Sequence, residues 1–166
     1  MKDTILKLLE KNSKLTVAEI AAATGFPEDA VAGEIASLEK DMVICGYNTL
    51  VNWDLTDRDF VTALIEVRVT PQRGDGFDKI AERIYRFDEV KAVYLMSGGF
   101  DLTIIIEGKS IKEVAFFVSD KLSPINDVIS TATHFVLKKY KDHGVIINKS
   151  KKENGRMIVS PWETLI

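Results

Sequence analysis

Apolar positions in the first forty residues recur at helical spacing. Ile5, Leu6, Leu8 and Leu9 share one side of a helix expected over 3–11, and Asn12-Ser13-Lys14 breaks it. Thr16-Val-Ala-Glu19 is a capping box, flanked by Leu15 and Ile20 at the positions of a hydrophobic staple. The helix it starts runs to about Thr24 and stops at Gly25. Pro27 opens a third helix with Val31, Ile35 and Leu38 on one face. Val43-Ile44-Cys45-Gly46-Tyr47 predicts a short strand and turn. Three helices with a short Gly-containing turn suit a helix-turn-helix, and a strand pair after the third would make it winged. A generic three-helix bundle has the same spacing.

Beyond a polar stretch over 51–59, taken as a linker with room for a short strand, the period changes to two. Val61, Ala63, Ile65, Val67 and Val69 alternate with Thr62, Leu64, Glu66 and Arg68 until Pro71 ends the strand. After a Gly74-Asp-Gly76 loop, Phe77, Ile80, Ala81 and Ile84 return to helical spacing. Ala92 to Gly108 reads as two strands joined at Ser97-Gly98-Gly99-Phe100. Ser110-Ile-Lys-Glu113 is a second capping box, starting a helix with Ile111, Val114, Ala115, Val118 and Leu122 inward. Val128 to Lys138 is the last strand, with Thr131, Thr133, Phe135 and Leu137 on one side. The order β-α-β-β-α-β gives an antiparallel sheet with both helices on one face, a ferredoxin-like arrangement. Tyr94, Met96, Ile104 and Ile106 compete for both faces, so the uncovered face carries excess apolar surface and a second subunit is expected over it. The expected fold class is α+β: a winged helix-turn-helix over 1–50, a linker over 51–59, a ferredoxin-like domain over 60–143 and a tail over 144–166. The tail is locally basic through Lys149, Lys151, Lys152 and Arg156, and Met157-Ile-Val159 suits an edge strand.

Composition narrows the function classes. Among 166 residues, 46% are hydrophobic and 28% charged, an ordinary balance for a chain that buries a core. The apolar runs are too short for a membrane span, and the charged N-terminus is no signal peptide. Cys45 is the single cysteine, so an internal disulfide and a thiolate metal cage are excluded. A cytoplasmic protein is expected, without metal or cofactor. The net charge of −3 does not advertise a nucleic-acid binder.

Candidate chemistry gathers at the hairpin. Gly98-Gly99 predicts positive φ at the reversal, with Asp101 at its mouth. Two bare glycines beside a carboxylate admit a small polar ligand; a tight turn whose Asp caps nearby amides fits the same residues. His134, mid-strand, and His143, in Lys141-Asp-His-Gly144, are the only histidines. With no phosphate-cradling glycine motif, metal-ligand spacing or nucleophile elbow, an enzyme is not expected.

Two stretches match a known pattern. Val31-Ala-Gly-Glu-Ile35-Ala-Ser-Leu38-Glu39-Lys-Asp-Met-Val-Ile44-Cys-Gly46-Tyr47 follows V-x-x-R-I-x-x-L-E-x-x-G-x-I-x-G-Y. Tyr94-Leu-Met-Ser97-Gly98-Gly99-Phe100-Asp101 is similar to a Gly-aromatic-Asp hairpin, and Ser130-Thr131-Ala-Thr133 to the strand that closes the same sheet. In this order, over residues 3–143, the chain resembles the Lrp/AsnC family, the feast/famine transcription regulators. The resemblance implies dimers, often assembled into octamers, whose second domain (RAM) binds amino acids at subunit interfaces. It also implies a small amino or keto acid effector at Ser97, Gly98, Gly99 and Asp101, with Thr131 and Thr133 on the neighbouring strand. Backbone amides at a glycine turn can hold an α-carboxylate, and Asp101 can pair with an α-ammonium. Some haem-biosynthetic decarboxylases also resemble this family. The DNA-reading helix would be 27–41, presenting Pro27, Glu28, Asp29, Ala32, Gly33, Ala36, Ser37 and Lys40.

That helix departs from the pattern. Glu34 stands in place of the Arg, Met42 in place of the Gly, and Pro27 where a capping Ser is usual. Residues 1–50 hold five Lys and eight acids, whereas a reader of DNA should be the positive half. The expected function is an effector-modulated transcription regulator with weak DNA contact per subunit. The alternative is a metabolite-sensing oligomer whose helix-turn-helix has lost DNA or binds protein.

Overall fold

The computed structural model describes residues 1–58, 60–71 and 76–147. Its contacts divide the chain into two units, 1–51 and 52–166.

The first unit is three helices: α1 (Lys2–Lys11), α2 (Val17–Thr24) and α3 (Glu28–Lys40). Ile5, Leu9, Ile20, Ala21 and Val31 close a core on which Leu8, Leu15, Phe26, Ile35 and Ile44 pack. The Thr16–Glu19 capping box forms in full at the start of α2. Gly25 ends α2 in the left-handed conformation at φ 75°, its amide bonded to the Ala21 carbonyl. Pro27 is the N-cap of α3 rather than its first helical residue, because its ψ of 143° is still extended. The strand expected at Val43–Tyr47 does not form, and among the described residues of this unit there is none to make a wing. Met42 turns the chain at φ 55°, and the Val43 and Ile44 amides both return to the Leu38 carbonyl. Those donors close the end of α3 and are lost to any ladder.

The second unit opens with a short 3-10 turn at Trp53–Leu55, where a linker with room for a strand was expected. A four-stranded antiparallel sheet follows: β1 (Val61–Val69), β2 (Val90–Leu95), β3 (Leu102–Gly108) and β4 (Val128–Phe135), in the order β2-β3-β1-β4. Its helices are α4 (Asp78–Tyr85) and α5 (Ile111–Phe116), the latter continuing as π-helix over Phe117–Leu122. Both pack on one face: Ile80 and Ile84 of α4, with Val114, Phe117 and Leu122, meet Ala63, Ile65, Val67, Leu102, Ile104 and Ile106. This is the expected ferredoxin-like arrangement. The inward set differs from the expected one. Ile111 and Ala115, expected inside, are exposed, and Phe117 takes the buried position. The last strand ends at Phe135, short of Lys138, and Leu137 is 96% exposed. A two-stranded ribbon, β5 (Lys141–Asp142) with β6 (Val145–Ile146), follows. The basic tail and the edge strand expected at 157–159 lie outside the described residues.

Register assigns the uncovered face. Ile65 pairs with Ile104, and Glu66 with both Thr103 and Ala132, so the open face carries Leu64, Glu66, Arg68, Thr103, Ile105 and His134. Ile104 and Ile106 do not compete for it, because register puts both beneath the helices. The expected apolar excess on this face is therefore absent: Leu64, Ile105 and Tyr94 are interspersed with Glu66, Arg68 and His134, and His134 Nε2 stands 3.4 Å from a Glu66 oxygen. Apolar exposure concentrates elsewhere, at Leu95, Ile129, Leu137, Tyr140 and Ile146.

Candidate functional site

The hairpin between β2 and β3 closes through the Met96 amide, 2.8 Å from the Asp101 carbonyl oxygen. Asp101 is then tied to the central strand twice. Its amide donates to the Val67 carbonyl at 3.0 Å, and its Oδ2 accepts from the Val69 amide at 2.9 Å. The carboxylate thus satisfies a backbone donor where the β1 ladder runs out. Oδ2 is used; among the described residues no bond is made by Oδ1.

The two glycines differ from each other. Gly98, at φ 159°, has the positive φ expected of the reversal, and Gly99 does not. A Cβ at either position would meet nothing within 4 Å. At Gly98 the backbone conformation disfavours an L side chain; at Gly99 neither φ nor packing within the described chain demands glycine. What the pair provides is bare, exposed backbone next to a half-buried carboxylate.

Thr131 lies across β1 from this end of the sheet, paired with Val67; Thr133 pairs with Ile65, further along. Two strand spacings separate β4 from β3, roughly 10 Å. Both threonines are half-buried on the helix-covered face. The structure therefore brings Asp101 and Thr131 to one end of the sheet on either side of β1, and leaves Thr133 a step away.

On α3, Val31 and Leu38 are buried, and the opposite side carries Glu28, Asp29, Ala32, Gly33, Ala36, Ser37 and Lys40, all exposed, with Pro27 at its start. Small residues along the middle allow close approach, and Lys40 is the helix's single cation. Ser37 is 3.4 Å from an Asp41 carboxylate oxygen. The Tyr47 hydroxyl donates to Glu39 at 2.8 Å, a bond that pushes the Tyr47 pKa up.

One cluster escaped the sequence reading. Arg58 lies over the Trp53 ring at 4.7 Å, and Trp53 meets Phe60 edge-on at 6.1 Å. The signal was present as Trp, Arg and Phe within eight residues, but a short polar stretch with no periodicity reads as a linker.

A comparison with protein families matches the Lrp/AsnC ligand binding domain to residues 62–146, more than half of the chain. The chain belongs to the Lrp/AsnC family. It is 49% identical over 158 residues, 95% of each chain, to a Bacillus subtilis protein named HTH-type transcriptional regulator YugG and described as uncharacterized. It is 26% identical over 137 residues to the HTH-type transcriptional regulator LrpA of Pyrococcus horikoshii, covering 82% of this chain and 94% of that one. Among solved structures, the fold is shared with the transcriptional regulator NMB0573 of Neisseria meningitidis, solved with L-Met. There the TM-score is 0.68 at 20% identity, over 85% of this chain and 90% of that one. Escherichia coli AsnC gives 0.63 at 21% identity, over 83% and 91%. This Lrp/AsnC chain is a helix-turn-helix transcriptional regulator. No helix among the described residues is long and apolar enough to cross a membrane.

Proposed function

We propose that this cytoplasmic Lrp/AsnC regulator works as a homodimer or larger assembly, with residues 1–50 facing DNA and residues 60–143 taking the effector. The effector is a small amino or keto acid held at Ser97, Gly98, Gly99 and Asp101. The observation that carries this reading is Gly99, a glycine that neither φ nor packing among the described residues requires, beside a carboxylate with one oxygen to spare. NMB0573, which shares the fold, was solved with L-Met, an α-amino acid of the class proposed. Thr131, at the same end of the sheet, is the better of the two threonine candidates. A thermal-shift panel of amino and keto acids tests the reading, since binding to the folded state raises its stability by mass action. Asp101→Asn is the informative variant, because the amide oxygen can still accept from Val69 while the charge is gone. An amino-acid effector should then bind about ten- to a hundredfold more weakly, the equivalent of roughly 1.5–3 kcal/mol for a charge-assisted bond. Unchanged affinity would leave Asp101 as a strand-end cap and nothing more.

A second reading, a sensor that no longer engages DNA, is favoured by one observation: Lys40 is the only cation on α3, with Glu28 and Asp29 in its first turn. Those carboxylates favour the helix dipole and repel a phosphate from the same amides. Salt titration of binding to the protein's own upstream DNA separates the two, at a slope of about −0.9 per phosphate neutralised. A regulator using α3 should show about two or three contacts per subunit by that relation. Absence of binding at low salt would select the sensor.

A further inference from the structure

The second unit has a cleft of about 730 Å³ at the end of the sheet away from the hairpin, within the range of roughly 300–1,000 Å³ usual for small-molecule sites. One wall is the segment that enters the unit, Trp53 and Arg58, with Phe60; the other is the start of β2 and the end of β3. We propose that this cleft is a second ligand site, for a zwitterionic α-amino acid with an apolar side chain, independent of the hairpin.

The charges select this class. Several polar groups lining the cleft are already engaged: Glu89 pairs with Lys121, and Glu113 accepts from the Lys109 amide. Arg58, Lys109, Asp88 and Glu107 are not; among the described residues none of their side chains makes a hydrogen bond or ion pair. Lys91, which donates only to the Asp88 carbonyl, and Glu113, bonded only to an amide, keep their charges as well, so three cations and three anions face one space. A phosphate or nucleic acid would meet three uncompensated carboxylates, and a metal ion three uncompensated cations. An α-ammonium with an α-carboxylate answers both.

The aromatic wall supplies the rest. Trp53 and Phe60 are half-buried, and the Arg58 guanidinium stacks on Trp53, which leaves the N–H groups around its edge free for a bidentate carboxylate. An apolar side chain then has the remaining aromatic surface to cover. Ligand in this cleft would clamp the segment on which Trp53 and Arg58 stand against the sheet, and that segment is the one the chain follows out of the helix-turn-helix.

Trp53 reports directly. With Trp162→Phe as background, emission comes from Trp53 alone, since the sequence has two tryptophans. Titration with L-methionine, L-leucine and L-phenylalanine should change that emission saturably. The corresponding keto acids and amines, each lacking one charge, should act at least tenfold more weakly. Arg58→Ala should abolish the response, and Glu107→Gln should weaken it several-fold. Arg58→Lys keeps the charge but loses the planar fork, and should also respond weakly; it covers the case in which the alanine variant does not fold. Calorimetry on the same proteins separates this site from the hairpin. Two ligands per chain falling to one in Arg58→Ala supports both sites. One ligand per chain, unchanged in Arg58→Ala and silent at Trp53, overturns the cleft and leaves the hairpin standing. One ligand that disappears in Arg58→Ala and is seen by Trp53 supports the cleft and removes the hairpin. No heat and no emission change with any of the three overturns the cleft and leaves the hairpin to the wider panel of amino and keto acids.

Discussion

Met42 holds a left-handed conformation at φ 55°, at the position where the helix-turn-helix pattern has glycine. An L-residue there carries a steric cost of about 1–2 kcal/mol, which glycine avoids while losing more freedom on folding. Met42→Gly should therefore stabilise the first unit by roughly 0.5–1 kcal/mol, read as a rise in its urea midpoint at unchanged slope. A lower midpoint would mean that the exposed Met42 side chain makes contacts worth more than the strain. The motif disclosed this site and periodicity did not, because a lone αL residue leaves no mark on an apolar pattern. Asp101 shows the opposite limit. Its place beside two glycines was legible, but its bond to the Val69 amide joins residues 32 apart, and no local spacing encodes that partner. Its structural and ligand roles were alternatives in the sequence; in the structure one carboxylate has an oxygen for each.

The cap of α2 was legible to the residue, because every atom it uses lies within four positions. Thr16 donates its backbone amide and hydroxyl to the Glu19 carboxylate, at 2.8 and 2.9 Å. The amide bond chiefly, then the hydroxyl, holds the Glu19 pKa below its ordinary 4.5. A depressed carboxyl stabilises the fold at pH above its unfolded value, and that contribution is lost as pH falls through the folded value. Glu19→Gln should accordingly flatten the acid limb of the melting temperature below about pH 4.5 and change little near neutrality. An acid limb identical to that of the parent would mean that the carboxylate is not coupled to folding. The helix after Ser110 was legible only at its start. Ser110 caps the Glu113 amide as expected, but the carboxylate of Glu113 turns to Lys109 instead of closing the box. Val114 and Phe117 are three apart, an ordinary helical step that turns Ala115 outward, and the π-helical turn beyond Phe116 then sets the next buried residue five on, at Leu122.

The order of elements followed from the periods and the short connections, so the ferredoxin-like arrangement was legible in the sequence. Faces could not, since register decides them, and it moved Ile104 and Ile106 under the helices. The case for assembly thereby shifts from the open sheet to the exposed apolar residues around β4 and the ribbon after it, Ile129 at 66% and Leu137 at 96%. Sedimentation should show a species heavier than the 18.6 kDa monomer at micromolar concentration, and Leu137→Glu with Ile129→Glu should lower it. A monomer at every concentration would make that surface merely exposed. The central strand has one further consequence, in time rather than space. β1 is flanked by β3 and β4, and Ala63 waits for Phe135 as its neighbour. During synthesis at about 5–20 residues per second, the interval between making Val69 and Val128 is roughly 3–12 s. Through those seconds Val61–Val69 is a finished apolar strand with an unpaired side, while the three helices ahead of it need no later residue to close their own core. The nascent chain therefore carries a folded helix-turn-helix and a sticky strand together, and the vulnerable moment of its life precedes release from the ribosome.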